Sequence, residues 1–190
     1  MSRPYNRATI SAMEVRRRSS LRAPAKDYRE HGAYFITICT HERALLFDDP
    51  RFRAIATRDW EAIPTHFPFV ELDEFVIMPN HVHGVLWLLR DEIEDPESSE
   101  AGARRPTKGS VSSIVGSYKA AVSREINAVR GTGGAAVWQR NFYDHMVRNE
   151  RDLLRIQQYI IDNPARWAFD RDNPRGSPDE REHSFWETVS

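Results

Sequence analysis

The spacing of apolar positions changes repeatedly along the chain. Residues 33–40 (AYFITICT) are aromatic and β-branched, the composition of a strand. Between Pro50 and about Thr65, Phe52, Ile55, Trp60 and Ile63 recur at helical spacing. Residues 69–78 (FVELDEFVIM) alternate and then turn wholly apolar, which predicts a strand buried at its far end. Pro79 and Asn80 are turn residues, so residues 81–89 (HVHGVLWLL) read as the second arm of a β-hairpin over 69–89. Over 110–129, Val111, Ile114, Val115, Tyr118, Val122, Ile126 and Val129 fall three and four apart. That is an amphipathic helix with Lys119, Ser123 and Arg124 off its stripe. Gly-rich residues 131–136 end it, and residues 137–147 read as extended, leading through a last strand. Asn149, with Asp152 three positions on, caps a helix over 150 to about 162, which Pro164 stops. The order β, α, β-β, α, β, α predicts an α+β domain, an antiparallel sheet with helices packed on one side.

The remaining segments lack such patterns. Residues 1–30 read as a basic arm, residues 91–109 as a surface loop, and residues 168–190 as a polar tail whose one apolar handle is Phe185–Trp186. No run approaches the ~18 apolar residues of a membrane-spanning helix. The first 24 residues hold no apolar core of a secretory signal. The single cysteine, Cys39, excludes an internal disulfide and a zinc ribbon, and agrees with a reducing cytoplasm.

Charge changes the picture only when counted by segment. Lys+Arg is 27 against 28 Asp+Glu, a formal net of −1. Residues 1–30 nevertheless carry +5, residues 104–155 carry +6, and residues 91–100 hold six acids and no base. Only Lys26, Lys108 and Lys119 are lysines, so 24 of the basic residues are arginine, the side chain suited to bidentate phosphate contacts. Such segregation is compatible with a basic face for a polyanion.

The candidate chemistry lies in two places. His81 and His83 are two apart on a strand, so period-2 geometry puts both imidazoles on one face, where they can share a divalent metal if further ligands join them. On the helix 150–162, Leu153, Leu154, Ile160 and Ile161 predict the core-facing stripe, which leaves Tyr159 on a polar flank with Arg155 one turn before it and Asn163 one turn after. A phenol is a weak nucleophile unless its target is activated. A metal held by His81 and His83, with Asn163 as an oxygen ligand, can polarise a phosphodiester for attack by Tyr159.

These residues carry a resemblance. ELDEFVIMPNHVHGVLW followed by VWQRNFYDHMVRNERDLLRIQQYIIDNPARW is similar to the single-tyrosine HUH transposases, above all to the branch associated with repetitive extragenic palindromes (REPs). It spans roughly residues 31–167. His81-Val82-His83 matches the HUH motif, Tyr159 the catalytic tyrosine of a Tyr-Ile-x-x-Asn-Pro pattern, and Asn163 the polar residue that completes the metal site; His145 and Arg148 recur in similar sequences. The resemblance implies a ferredoxin-like fold, Mg2+ or Mn2+ as cofactor, and single-stranded hairpin DNA as partner. It further implies cleavage through a 5′-phosphotyrosine that frees a 3′-OH, in a cytoplasmic, nucleoid-associated protein that can form a homodimer. Lys119, Arg124, Arg148 and Arg155 are then candidate DNA contacts. Trp138 and Phe142 are candidates either for stacking on bases or for the core. Residues 41–68 are shorter than in relatives that carry an additional hairpin there.

Three rivals remain in view. A barrel-type metallohydrolase with an HxH strand needs about 250 residues. A replication-initiator or relaxase nickase usually adds a third histidine or helicase domains. A non-catalytic hairpin-binding protein would share the fold without cutting. Tyr143 stays open as a second candidate nucleophile.

Overall fold

In a computed structural model, residues 31–89 and 109–189 are described. The basic arm 1–30 and almost all of the acidic loop 91–109 lie outside the described residues. Four strands form one sheet: β1 (Gly32–Cys39), β2 (Val70–Ile77), β3 (His81–Leu88) and β4 (Tyr143–Met146). Their order is β2-β3-β1-β4 with every neighbour antiparallel, the ferredoxin-like arrangement that the resemblance implies. β3 lies between β1 and β2 and is buried along its whole length.

Local chemistry sets the helix ends. In α1 (Pro50–Glu61), Asp49 accepts the Arg51 amide and Pro50 fills the first turn, where a missing N–H costs nothing. A short turn, α2 (Ile63–His66), follows. In α3 (Val111–Arg130), Ser110 accepts the Ser113 amide, and Gly131 closes the helix at φ 67°, a conformation glycine adopts without strain. In α4 (Glu150–Asp162), Asn149 accepts the Asp152 amide as expected. Beyond Pro164 the chain does not leave the helix axis at once but tightens into a 3₁₀ stretch, Asn163–Phe169. Among the described residues no helix is long and apolar enough to cross a membrane.

Strand alternation divides the sheet into two cores. Tyr34, Ile36, Ile38, Val82 and Leu86 face α1 and α3, meeting Trp60, Ile114, Tyr118 and Val122. Phe35, Val85 and Trp87 face the other way, toward α4 and a last helix, α5 (Glu180–Val189). The expected single helical layer therefore describes α1 and α3, while the opposite face carries a second layer. The tail is part of that layer: Phe185, Trp186 and Val189 are buried in it. Residues 168–179 read as polar because they form the turns that bring α5 back, and three apolar residues in ten suffice for a helix that covers one edge of a core.

Gly84 is where the two layers constrain the backbone most tightly. A Cβ there would lie 2.3 Å from Cζ2 of Trp60, which packs directly on the β3 main chain. Gly84→Ala is expected to lose about 1–3 kcal/mol of unfolding free energy in a urea titration. Combining it with Trp60→Phe should recover part of the loss.

Candidate active site

The register of β3 against β1 builds the centre of the site. Cys39 pairs with His81 and Thr37 with His83, so both imidazoles project into the α4 side of the sheet. Their ring centroids are 4.3 Å apart and both are fully buried. Each ring is anchored through Nδ1: His83 to Thr37 Oγ1 at 2.8 Å, and His81 to Asn80 Oδ1 at 2.9 Å. Each Nε2 is buried without a hydrogen-bond partner among the described residues. Burial holds both histidines below their ordinary pKa, His83 well below, so both offer a neutral lone pair.

A carboxylate completes the cluster. Asp170 Oδ2 lies 3.6 Å from His81 Nε2, and one ligand atom from each of His81, His83 and Asp170 falls within 4.8 Å of the others. Asn163 donates its amide to Asp170 Oδ2 at 2.9 Å, and its own Oδ1 is buried and unpartnered. Two imidazole nitrogens and an amide oxygen, buried and without partners among the described residues, together with the buried Asp170 carboxylate, are a donor set that fits a divalent cation. Asp170 was missed in the sequence because it stands in the tail, with no periodic pattern to tie it to the strand histidines. It is placed by its neighbours: Asp172 donates its amide to Asp170 Oδ1 at 2.6 Å, and the Asp172 carboxylate is ion-paired with Arg43. Asn80, beside His81, donates to the Asp172 carbonyl at 2.7 Å.

Tyr159 stands beside this cluster, its ring centroid 5.4 Å from that of His83. It is not on a polar flank. Leu153, Ile156, Tyr159 and Ile160 form the buried face of α4, with Tyr159 8% exposed, whereas Leu154 and Ile161 are 58% and 56% exposed. The apolar residues of α4 support two overlapping stripes, and α5 selects between them. Phe185 stacks on the tyrosine ring at 3.6 Å, 4° from parallel. The phenol donates to Glu182 Oε1 at 3.0 Å, and Trp186 Nε1 lies 3.3 Å from its oxygen. Burial first, then the charges of Asp170 and Glu182, push the phenol pKa well up.

The other expected residues divide by face. Arg148 is exposed at the start of α4, and Arg155 pairs with Asp152 at 2.5 Å. His145 bonds the same carboxylate at 3.0 Å. Lys119 and Arg124 lie on α3, against the opposite face of the sheet from the histidines. The Lys119 ammonium is committed to the carbonyls of Gln139 and Arg140, at 2.6 and 3.1 Å. Trp138 is core, packed on Phe47 and Tyr118. The Tyr143 phenol donates to the Val189 carbonyl, and burial pushes its pKa up to about 12.

No family model matches the chain. An uncharacterised protein of Haemophilus influenzae is 36% identical over 171 residues, covering 83% of this chain and 93% of its own. A second protein from that organism, named REP-associated tyrosine transposase, is 26% identical over 151 residues, 76% of each chain. Among solved structures, a REP-associated tyrosine transposase bound to a REP hairpin superposes with a TM-score of 0.54 at 18% identity. It covers 76% of this chain and 73% of that one.

Asp170→Asn is nearly isosteric, removes the charge, and leaves one oxygen to accept where the carboxylate has two. It is expected to weaken Mn2+ binding at least about tenfold in calorimetric titration. Unchanged affinity would place the cation away from Asp170.

Proposed function

We propose that this chain is a REP-associated tyrosine transposase, which binds single-stranded DNA beside a hairpin stem and cuts and rejoins it through Tyr159. The observation that carries this reading is the meeting of two buried histidine Nε2 atoms, without hydrogen-bond partners among the described residues, with Asp170 and, on α4, a tyrosine. His81, His83 and Asp170 would hold Mg2+ or Mn2+, with Asn163 orienting the carboxylate and offering Oδ1. The bound cation supplies Lewis-acid polarisation of the scissile phosphodiester.

The remaining work falls to the chain itself. Tyr159 Oη attacks phosphorus in line with the 3′ oxygen, which leaves as a 3′-OH while the 5′ phosphate stays on the tyrosine. The phosphotyrosine bond retains the energy of the diester, so rejoining needs no nucleotide cofactor. Thr37 and Asn80 hold the imidazoles in the tautomer that turns Nε2 inward. Tyr159 and the histidines belong to one chain and meet without a second copy, which supports an active site complete in each protomer. Of the basic candidates, Arg148 and Arg155 lie on the α4 side and suit backbone contacts near the reacting phosphate. Lys119 and Arg124 would serve DNA only on the far face.

A second reading, a hairpin-binding protein that does not cut, draws on the burial of Tyr159 beneath α5. One assay separates the two. End-labelled single-stranded hairpins from palindromic repeats beside the gene are incubated with protein and Mn2+ or EDTA, then run on a denaturing gel. A Mn2+-dependent covalent adduct is expected with the wild type and none with Tyr159→Phe, which should still bind the hairpin. Tight binding without an adduct would establish the non-cutting reading, and an adduct persisting in Tyr159→Phe would move the nucleophile to Tyr143.

A further inference from the structure

A phenol, with an ordinary pKa near 10, keeps its proton at neutral pH and is a weak nucleophile until that proton is taken. Attack on phosphorus therefore requires a proton acceptor already in place. Among the described residues one carboxylate is hydrogen-bonded to the Tyr159 phenol, that of Glu182 on α5, at 3.0 Å. Resting on the proposed function, we infer that Glu182 is the general base of the reaction and that the tail, outside the span of the family resemblance, supplies a catalytic residue.

The arrangement has the parts an activated nucleophile needs: a base within hydrogen-bond reach and further groups that orient the base. Glu182 Oε1 also accepts from Trp186 Nε1 at 2.8 Å and from the Arg171 amide at 3.2 Å, so the carboxylate cannot turn away from the phenol without losing both. Trp186 Nε1 lies 3.3 Å from the phenol oxygen as well, placed to donate to the negative charge that grows there. Glu182 is also held in position at the start of its helix. Its amide donates to Asp179 Oδ1 at 3.0 Å, and Arg166 grips the Asp179 carboxylate at 2.6 and 2.8 Å. Burial raises the Glu182 carboxyl pKa above its ordinary value, which makes the carboxylate a stronger proton acceptor.

There is also an approach for substrate. A surface cleft lined by Arg171, Glu182, His183, Trp186 and Glu187 opens beside the pair. At its rim the Arg171 guanidinium lies 4.0 Å from the Trp186 ring centroid, without a carboxylate partner among the described residues, so it can receive a phosphate. In the cleavage step the Oη–P bond forms as the phenol proton passes to Glu182 Oε1. The P–O3′ bond breaks, and the 3′ oxygen leaves with the bonding pair and takes a proton from water. In rejoining, the deoxyribose 3′-OH attacks phosphorus, its proton goes to water, and protonated Glu182 returns its proton to the departing phenolate.

The test uses the full chain and a hairpin that it binds, with adduct formation followed in single turnovers from pH 5.5 to 9. Glu182→Gln is isosteric. It is expected to slow the adduct by roughly 10²-fold or more at neutral pH, and to turn a wild-type plateau into a rate that keeps rising with pH. Hairpin affinity, Mn2+ affinity and melting temperature should match wild type. A Glu182→Gln rate equal to or above that of wild type, with the same profile, would overturn the inference and make Glu182 a tether that holds the tyrosine under α5. Should Glu182→Gln fail to fold, Glu182→Asp decides: a plateau displaced along the pH axis supports the base, and an unmoved profile overturns it. If wild type binds the hairpin and forms no Tyr159-dependent adduct, the cutting reading itself falls and the base falls with it. An adduct with an indifferent Glu182 removes the base alone.

Discussion

Two imidazoles buried on the central strand, each with one nitrogen bonded and the other left open, are the constraint around which this molecule is arranged. A buried polar atom without a partner costs about 1–3 kcal/mol, and here two such atoms belong to adjacent rings, with a third, Asn163 Oδ1, on a side chain bonded to Asp170. β3 can carry them because it is paired on both edges, by β1 and β2, and because Thr37 on β1 and Asn80 in the β2–β3 turn tie the rings down. The deficit is confined to the side of the sheet where α4 and the tail close over it.

The tail answers that deficit with two carboxylates of different surroundings. Asp170 reaches the histidines because the turn after the 3₁₀ stretch is fastened by Asp172, which Arg43 and Asn80 hold against the loop after β1 and the β2–β3 turn. Glu182 reaches the tyrosine because α5 is docked through Arg166 to Asp179 and through Arg181 to Asp162. Arg171, between them in sequence, uses its amide to orient Glu182 and leaves its guanidinium at the surface. One segment thus places an acid beside the two histidines and another against the tyrosine, the two positions that the proposed function assigns to the cation and to the nucleophile.

Much of the fold was legible because each element carried its own signal. The hairpin at Pro79-Asn80, the cap at Asn149 and the stripe of α3 are short-range patterns, and the structure places those elements within a residue or two of the expected bounds. The side of α4 that turns inward was not legible. Leu154 and Ile161 are as apolar as Leu153 and Ile160, and only the arrival of Phe185 and Trp186 from α5 makes the tyrosine side the buried one. Lys119 looked like a free cation on a helix surface, yet the loop before β4 folds back and presents two carbonyls to it. Each of these outcomes depends on a contact between segments far apart in the chain.

The sequence by itself determined the order of elements and the placing of both histidines on one strand face. Both follow from periods of two and 3.6 residues and from turn chemistry. Tertiary structure alone decided that Tyr159 is buried, that Asp170 joins the histidines, and that Glu182 meets the phenol. The tail has no periodicity that points at β3 or α4, and its carboxylates acquire their chemistry only from the desolvated space into which Arg43, Arg166 and Arg181 dock them.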